Sequence, residues 1–403
     1  MHTSPAAQPG RGDSGGMNVS IVSLARSLAS RGIEVDLLTR AEAEPEIREI
    51  HPGVTLRTLA AGPMAPLRKE ALADVTDSFG EAVASLVGRD SPRYDLIHAH
   101  YWLSGIATLP VALELGLPFV QSFHTLAAMK NAALAPGDSP EPDRRLYSEA
   151  FLAHQADAVV AGSAAEATTL IDPLRAPAEK LWVIPPGADT ELFHPSRRAN
   201  AATTRARFGL EGDRPLLVVA GRVQPLKAQD FAVRVLGALH ARGGMRPLLV
   251  LAGEATAGAE GYYATVMALA SELGVADSVR VLGSLDQESL ADLFAAASLT
   301  LVPSHSETFG LVALESAASG TPVIGFRGTG LLESVAEGHS GVLVDTRDPE
   351  QWATTVTSLL DNPDLLTAMR ASAREHAEGF TWATASTSLL GLYESLLARV
   401  PGR

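Results

Sequence analysis

The chain has 403 residues, more than one ordinary hydrophobic core holds, which predicts two domains of about 200 residues each. Hydrophobic residues at 46% against 19% charged exclude a disordered chain, and a net charge of −14 with no basic run excludes nucleic acid as a partner. The absence of cysteine excludes disulfides, thiolate metal sites and cysteine nucleophiles, and suits a reducing, cytoplasmic setting.

The first sixteen residues lack the apolar segment of a signal peptide, and no later run reaches the roughly 18 apolar residues of a membrane span, so a soluble protein is expected. Gly10, Gly12, Gly15 and Gly16, with Asp13 and Ser14, form a loop ahead of an amphipathic helix marked by Met17, Ile21, Leu24 and Leu28. Such a loop is either a flexible surface turn or a place where backbone N–H groups and a helix N-terminus meet an anion. A turn of the second kind normally follows a strand. Residues 1–9 are too polar and proline-rich to be one, which predicts that the first strand is missing and that the true start lies upstream.

Strands are predicted at 33–39, 54–60, 95–100, 118–124, 158–163 and 181–187, then again at 215–221, 247–253, 279–284, 299–304, 322–326 and 341–345. Continuous apolar runs alternating with helical patterns imply parallel sheets buried on both faces, hence a doubly wound α/β domain in each half. Proline, glycine and charge replace apolar periodicity around 187–212, the expected linker, and a cleft between the halves follows. Helices are predicted at 349–361, 363–376 and 381–398, the last with no strand left to cross to, so that it packs back across the linker.

Chemistry concentrates at strand ends. The strand at 215–221 runs into Arg222 and Lys227, two cations five residues apart at the edge where open α/β sheets bind ligands, a pair suited to a pyrophosphate. Glu307 precedes a helix predicted to begin near Phe309, and Glu315 lies eight residues further on. Glu315 ionised offers only acceptors, as two ribose hydroxyls require; Glu307 either meets a sugar's hydroxyls or simply complements a helix dipole. His98 and His100 share one side of a strand, but no third ligand joins them, so cleft lining is favoured over metal binding. His124, at a strand terminus, is the stronger functional candidate.

The segments GRVQPLK (221–227), SETFGLVALESAASGTPVI (306–324) and PPGADTELF (185–193) resemble the retaining GT-B glycosyltransferases of family 4. The first-half segments YDLIHAHYWLSG, HTLAAMKN and EPDRR resemble the branch of that family acting in mycothiol biosynthesis, so that the likeness spans nearly the whole chain. The resemblance implies an α/β GT-B fold of two Rossmann-like domains facing across a cleft. Residues 1–190 would bind the acceptor and 191–380 the nucleotide sugar, with the helix at about 381–403 packing back on the first domain. It implies transfer of GlcNAc from UDP-GlcNAc to 1D-myo-inositol 3-phosphate with retention, without a cofactor.

Carried onto this sequence, Arg222 and Lys227 would hold the diphosphate, Glu315 the ribose and Glu307 the donor sugar, with Gln8, Pro9 and Gly16 close to the donor. His124 would sit at the transferred sugar. Lys69, Tyr101, Thr125 and Arg145 would hold the acceptor phosphate, with His2, Asp13, Ser14, Gly15, Gly16, Met17 and Asn18 around the inositol. Two cations and two hydroxyls suit a phosphate monoester on chemical grounds as well. The resemblance leaves room for a homodimer and for a structural magnesium near Phe294, Ala297 and Thr321, although Ala295 and the pair Leu285–Asp286 depart from the family pattern. The competing readings are a family 4 transferase with another cyclitol or natural-product acceptor, a GT-B-fold epimerase or phosphorylase, and a non-catalytic sugar-nucleotide-binding protein.

Overall fold

The computed structural model describes residues 1–399 except His2, Arg11, residues 90–93, Glu211, residues 256–258 and Thr329. Its strands are β1 (Val35–Arg40), β2 (Ile47–His51), β3 (Val54–Leu59), β4 (Ile97–His100), β5 (Phe119–Ser122), β6 (Ala158–Ala161) and β7 (Leu181–Val183) in the first half. The second half holds β8 (Leu216–Ala220), β9 (Leu248–Ala252), β10 (Val279–Gly283), β11 (Leu299–Val302), β12 (Val323–Phe326) and β13 (Gly341–Val344).

The second half is a six-stranded parallel sheet in the order β10-β9-β8-β11-β12-β13. Every residue of β8, β9 and β11 is buried, as expected of apolar runs covered by helices on both faces. In the first half the strands fall into two sheets, β1-β3-β2 and β4-β5-β6-β7. Here β2 corrects the all-parallel expectation: it runs antiparallel to β3. Its sequence IREIH carries charges and sits half exposed at a sheet edge, so it lacks the apolar run by which its neighbours are recognised.

Among the described residues no strand precedes the first helix, Gly16–Ala29. The leading segment lies over the ends of both small sheets. Asn18 Nδ2 donates to Thr3 Oγ1 and to the Ser4 carbonyl, each at 2.7 Å, while Thr39 of β1 reaches the Thr3 carbonyl at 3.5 Å. The Met1 amino group is buried, 3.4 Å from Ser104 Oγ just beyond β4. Burial, with Arg40 adding to it, lowers its pKa to about 5.

The three closing helices, Pro349–Leu360, Pro363–Glu378 and Trp382–Leu397, begin at side-chain caps: Asp348, Asn362 and Thr381 accept the N–H groups of Glu350, Leu365 and Thr384. The last one returns to the first half. Its Leu389, Leu392 and Leu396 join Val120, Val160 and Ile184 in one apolar cluster, and Ser386 bonds Ser27 of the first helix at 2.7 Å. Residues 400–403 of this expected element lie outside the described residues. No described helix is long and apolar enough to cross a membrane.

Candidate active site

The C-terminal ends of the strands in both halves open on one cavity of about 880 Å³. Several bonds cross between its walls. The Thr308 hydroxyl donates to the His124 carbonyl at 2.7 Å, Arg222 Nη1 to Asp13 Oδ1 at 3.2 Å, and Ser284 Oγ to the Pro9 carbonyl at 3.0 Å.

On the second-half wall, Gly221 leaves β8 at φ 138°, and its carbonyl lies only 2.1 Å from where a Cβ on Gly253 would stand. Two strand ends can approach this closely only without side chains, and Arg222 follows directly, aimed across the cleft. Burial lowers the Arg222 guanidinium from its ordinary value against the opposing pull of Asp13. Lys227 Nζ bonds Glu307 Oε1 at 2.6 Å, and Ser304 Oγ donates to the same oxygen at 2.7 Å. The sequence places the next helix near Phe309, but it begins at Leu311: Gly310 takes φ 94°, a left-handed conformation that interrupts the helix. Glu315 sits inside this helix, buried against the cavity, and burial raises its carboxyl to about 8. Burial thus favours the protonated form of Glu315 in the ligand-free protein.

On the first-half wall Tyr101 and His124 leave β4 and β5 at φ 73° and 63°, conformations uncommon for residues with a Cβ. Such strain is typical of residues that a site holds in place. Arg145 is fully buried, donating Nε to Glu149 Oε1 at 2.6 Å and Nη2 to Thr125 Oγ1 at 3.0 Å, with its guanidinium 5.0 Å from the Tyr101 ring centre. Lys69 stands beside them.

His98 and His100 stack with ring centres 4.3 Å apart, and His100 Nδ1 lies 2.8 Å from His124 Nε2. His98 is held between Tyr393 Oη at 2.7 Å and Ser122 Oγ at 2.8 Å. Burial lowers His98 to about 3 and His124 to about 4, so all three rings are neutral at pH 7 and each shared bond has one donor and one acceptor.

Asp13, Gly15, Gly16, Met17, Lys69, Tyr101, His124, Thr125, Arg145, Pro9, Arg222, Lys227, Glu307 and Glu315 all line this cavity. Ser14 is buried instead within the loop and Asn18 in the first turn of the following helix, by its bonds to Thr3, Ser4 and the Gly15 N–H, and Gln8 is exposed to solvent. His2 lies outside the described residues. The sequence reading missed Lys130, Glu141 and Glu166. Glu166 lines the cavity, accepts the Gly162 N–H at 2.7 Å and is pushed up to about 7 by burial. An acid four residues before Arg145 was the available signal for Glu141.

The proposed magnesium position does not fit. Thr321 Oγ1 donates to the Phe294 carbonyl at 2.7 Å and accepts from Arg198 Nη2 at 3.0 Å. Arg198 Nη1 also reaches the Ala297 carbonyl at 3.3 Å, where Arg370 approaches at 3.5 Å. Guanidinium groups thus engage the oxygens a cation would need.

Comparison with known proteins matches this architecture at every level. Residues 14–192 match the family model for Glycosyltransferase Family 4, and residues 200–376 that for Glycosyl transferases group 1. Sucrose-phosphate synthase from Thermosynechococcus elongatus superposes with a TM-score of 0.89 at 29% identity, covering 99% of this chain and 98% of that one. Anabaena HepE, solved with UDP and glucose, shares the fold at a TM-score of 0.77 and 20% identity, covering 96% of this chain and 98% of that one. Fold and cavity thus define a GT-B glycosyltransferase.

Among relatives, a D-inositol 3-phosphate glycosyltransferase of Thermobispora bispora is 44% identical across 99% of this chain and 94% of its own length. That of Frankia alni is 42% identical across 99% and 98%. The chain belongs to the family 4 glycosyltransferases of GT-B fold, in the group of the D-inositol 3-phosphate glycosyltransferases.

Proposed function

We propose that the protein transfers GlcNAc from UDP-GlcNAc to 1D-myo-inositol 3-phosphate with retention of configuration, a cytoplasmic step of mycothiol biosynthesis. The observation that carries this reading is a single cavity with cations on both walls: Arg222 and Lys227 on one, Lys69 and Arg145 on the other. Two separate anions are accommodated by such a site, a diphosphate and a phosphate monoester. The relatives' naming as D-inositol 3-phosphate glycosyltransferases supports the acceptor, and the UDP bound by HepE supports the donor.

In this reading Arg222 and Lys227 neutralise the charge that develops on the departing diphosphate, which takes the acceptor's proton as the acceptor attacks from the same face. Lys227 shifts its bond from Glu307 to the diphosphate, releasing Glu307 for the donor sugar's hydroxyls. The N–H groups of 308–311 face the donor, and His124 meets the transferred sugar. The protein supplies alignment and charge and no covalent nucleophile. No cofactor takes part.

A product assay with UDP-GlcNAc and either 1D-myo-inositol 3-phosphate or unphosphorylated inositol tests the reading. Turnover with the phosphate alone is expected. Equal turnover of both acceptors would overturn the acceptor assignment, and UDP binding without turnover of either would redirect it to another cyclitol.

A further inference from the structure

The acceptor wall holds a cation that the proposed reading leaves without a role. Lys130 lies near the end of the short helix Ala127–Ala132 and lines the main cavity together with Lys69, Thr125 and Arg145. The carboxylate of Glu141 pairs with three of them. It is absent from the main cavity's lining and borders an adjoining smaller one of about 140 Å³, which shares Lys130, Gln224 and Leu226 with it.

Glu141 joins all three cations. Its Oε2 accepts from Arg145 Nη1 at 2.9 Å, its Oε1 accepts from Lys130, and Lys69 Nζ stands 3.9 Å from that same Oε1. Although burial works against ionisation, Arg145, Lys69 and Lys130 hold Glu141 down at about 2, so it carries its charge at any working pH. Its backbone is fixed too, because the Glu141 N–H donates to Asn131 Oδ1 at 2.8 Å. Asn131 follows Lys130 directly, so the segment carrying the carboxylate is tied to the helix carrying the lysine.

Charge decides what Lys130 does. Arg145 is already matched by Glu149, which is fully buried and also accepts the N–H that opens the Lys130 helix at 2.8 Å. Within this ion-paired cluster three cations stand with Glu141 and with Glu149, whose carboxyl burial pushes up against the pull of Arg145, so the balance toward the cavity is positive. Lys130 adds a positive charge to this part of the wall and so strengthens its attraction for a phosphate monoester carrying between one and two negative charges.

We propose that Lys130 is a third cation of the acceptor-phosphate site, and that Glu141 is the positioning residue that gathers Lys69, Lys130 and Arg145 behind it. This rests on the acceptor being a phosphate monoester, as argued above. Glu141 keeps like charges together that would otherwise splay into solvent. The phosphate meets them from the cavity side, where Glu141 does not stand.

The test is steady-state kinetics with 1D-myo-inositol 3-phosphate, alongside calorimetric titration of the same compound onto the UDP-saturated protein. Lys130→Met should raise the acceptor KM and Kd at least tenfold while leaving kcat and the UDP-GlcNAc KM within about twofold, and Lys130→Arg should recover most of the loss. Glu141→Ala should raise the acceptor KM in the same way, with partial rescue by Glu141→Gln, whose single amide oxygen can take the place of one of the two carboxylate oxygens that Arg145 and Lys130 engage. An unchanged acceptor KM in Lys130→Met, in a wild-type background that prefers the phosphorylated acceptor, overturns the role of Lys130 alone. A wild-type protein indifferent to the phosphate overturns the underlying reading and this inference together. If Glu141→Ala tightens acceptor binding, the carboxylate is a competitor and its positioning role is wrong.

Discussion

Replacing Glu315 by glutamine should change how the protein's stability depends on pH. Burial raises this carboxyl from 4.5 to about 8 in the folded chain, whereas in the unfolded chain it ionises near its ordinary value. Between pH 4.5 and 8 the unfolded chain therefore releases a proton that the folded one keeps, so the contribution of Glu315 to stability is complete below pH 4.5 and is lost as the pH rises through about 8. At about 1.4 kcal/mol per unit the loss at pH 8 is on the order of 4 kcal/mol. For a unit of 150–250 residues, that corresponds to roughly 10 °C in melting temperature. Glutamine keeps the shape and has no proton to lose. Thermal unfolding of both proteins should show little difference at pH 5 and a gap widening to several degrees in favour of the variant by pH 8. UDP titrations add a second arm. If the ribose hydroxyls bond an ionised carboxylate, wild-type affinity relative to the variant should rise with pH up to about 8. A stability gap independent of pH would refute the neutral buried carboxyl, and a flat affinity ratio would refute its place at the ribose.

Lys69→Ala should raise the acceptor KM far more than the donor KM, whereas Lys227→Ala should depress kcat by roughly 10²- to 10³-fold. The same kinetic defect in both would show that the two walls do not hold separate anions. Unfolded histidines take up protons near pH 6.5 that folded His98 and His124 refuse until about pH 3 and 4, so stability should fall as the pH drops below 6.5. His98→Phe, which loses the bonds to Tyr393 and Ser122, should lower overall stability by about 1–3 kcal/mol and flatten that acid limb in equilibrium unfolding. Because Arg198 engages Thr321 and Ala297, chelator treatment should leave the melting temperature unchanged, while Arg198→Met should destabilise by about 1–3 kcal/mol. A melting temperature that falls with chelator would restore the metal.

Much of this molecule is legible one segment at a time. The apolar runs of β8, β9 and β11 declare buried parallel strands, and the exposed, charged β2 escapes the same test because an edge strand needs no apolar face. Arg222 and Lys227 are recognisable because a strand, a glycine and two cations follow in unbroken order. The start of the Glu315 helix was misplaced by two residues because the left-handed Gly310 acts through φ, which composition does not reveal.

The sequence by itself determined the apolar strands, the closing helices and the cations at strand ends, since each follows from short-range periodicity and the residue types a local backbone accepts. Only the tertiary structure decided that Glu141 meets Lys69 from 72 positions away, that His100 meets His124, that Arg198 reaches Thr321 and Ala297, and that burial raises the Glu315 carboxyl. Pairing and ionisation depend on which distant groups are packed together and cut off from water, and no window along the chain contains that information.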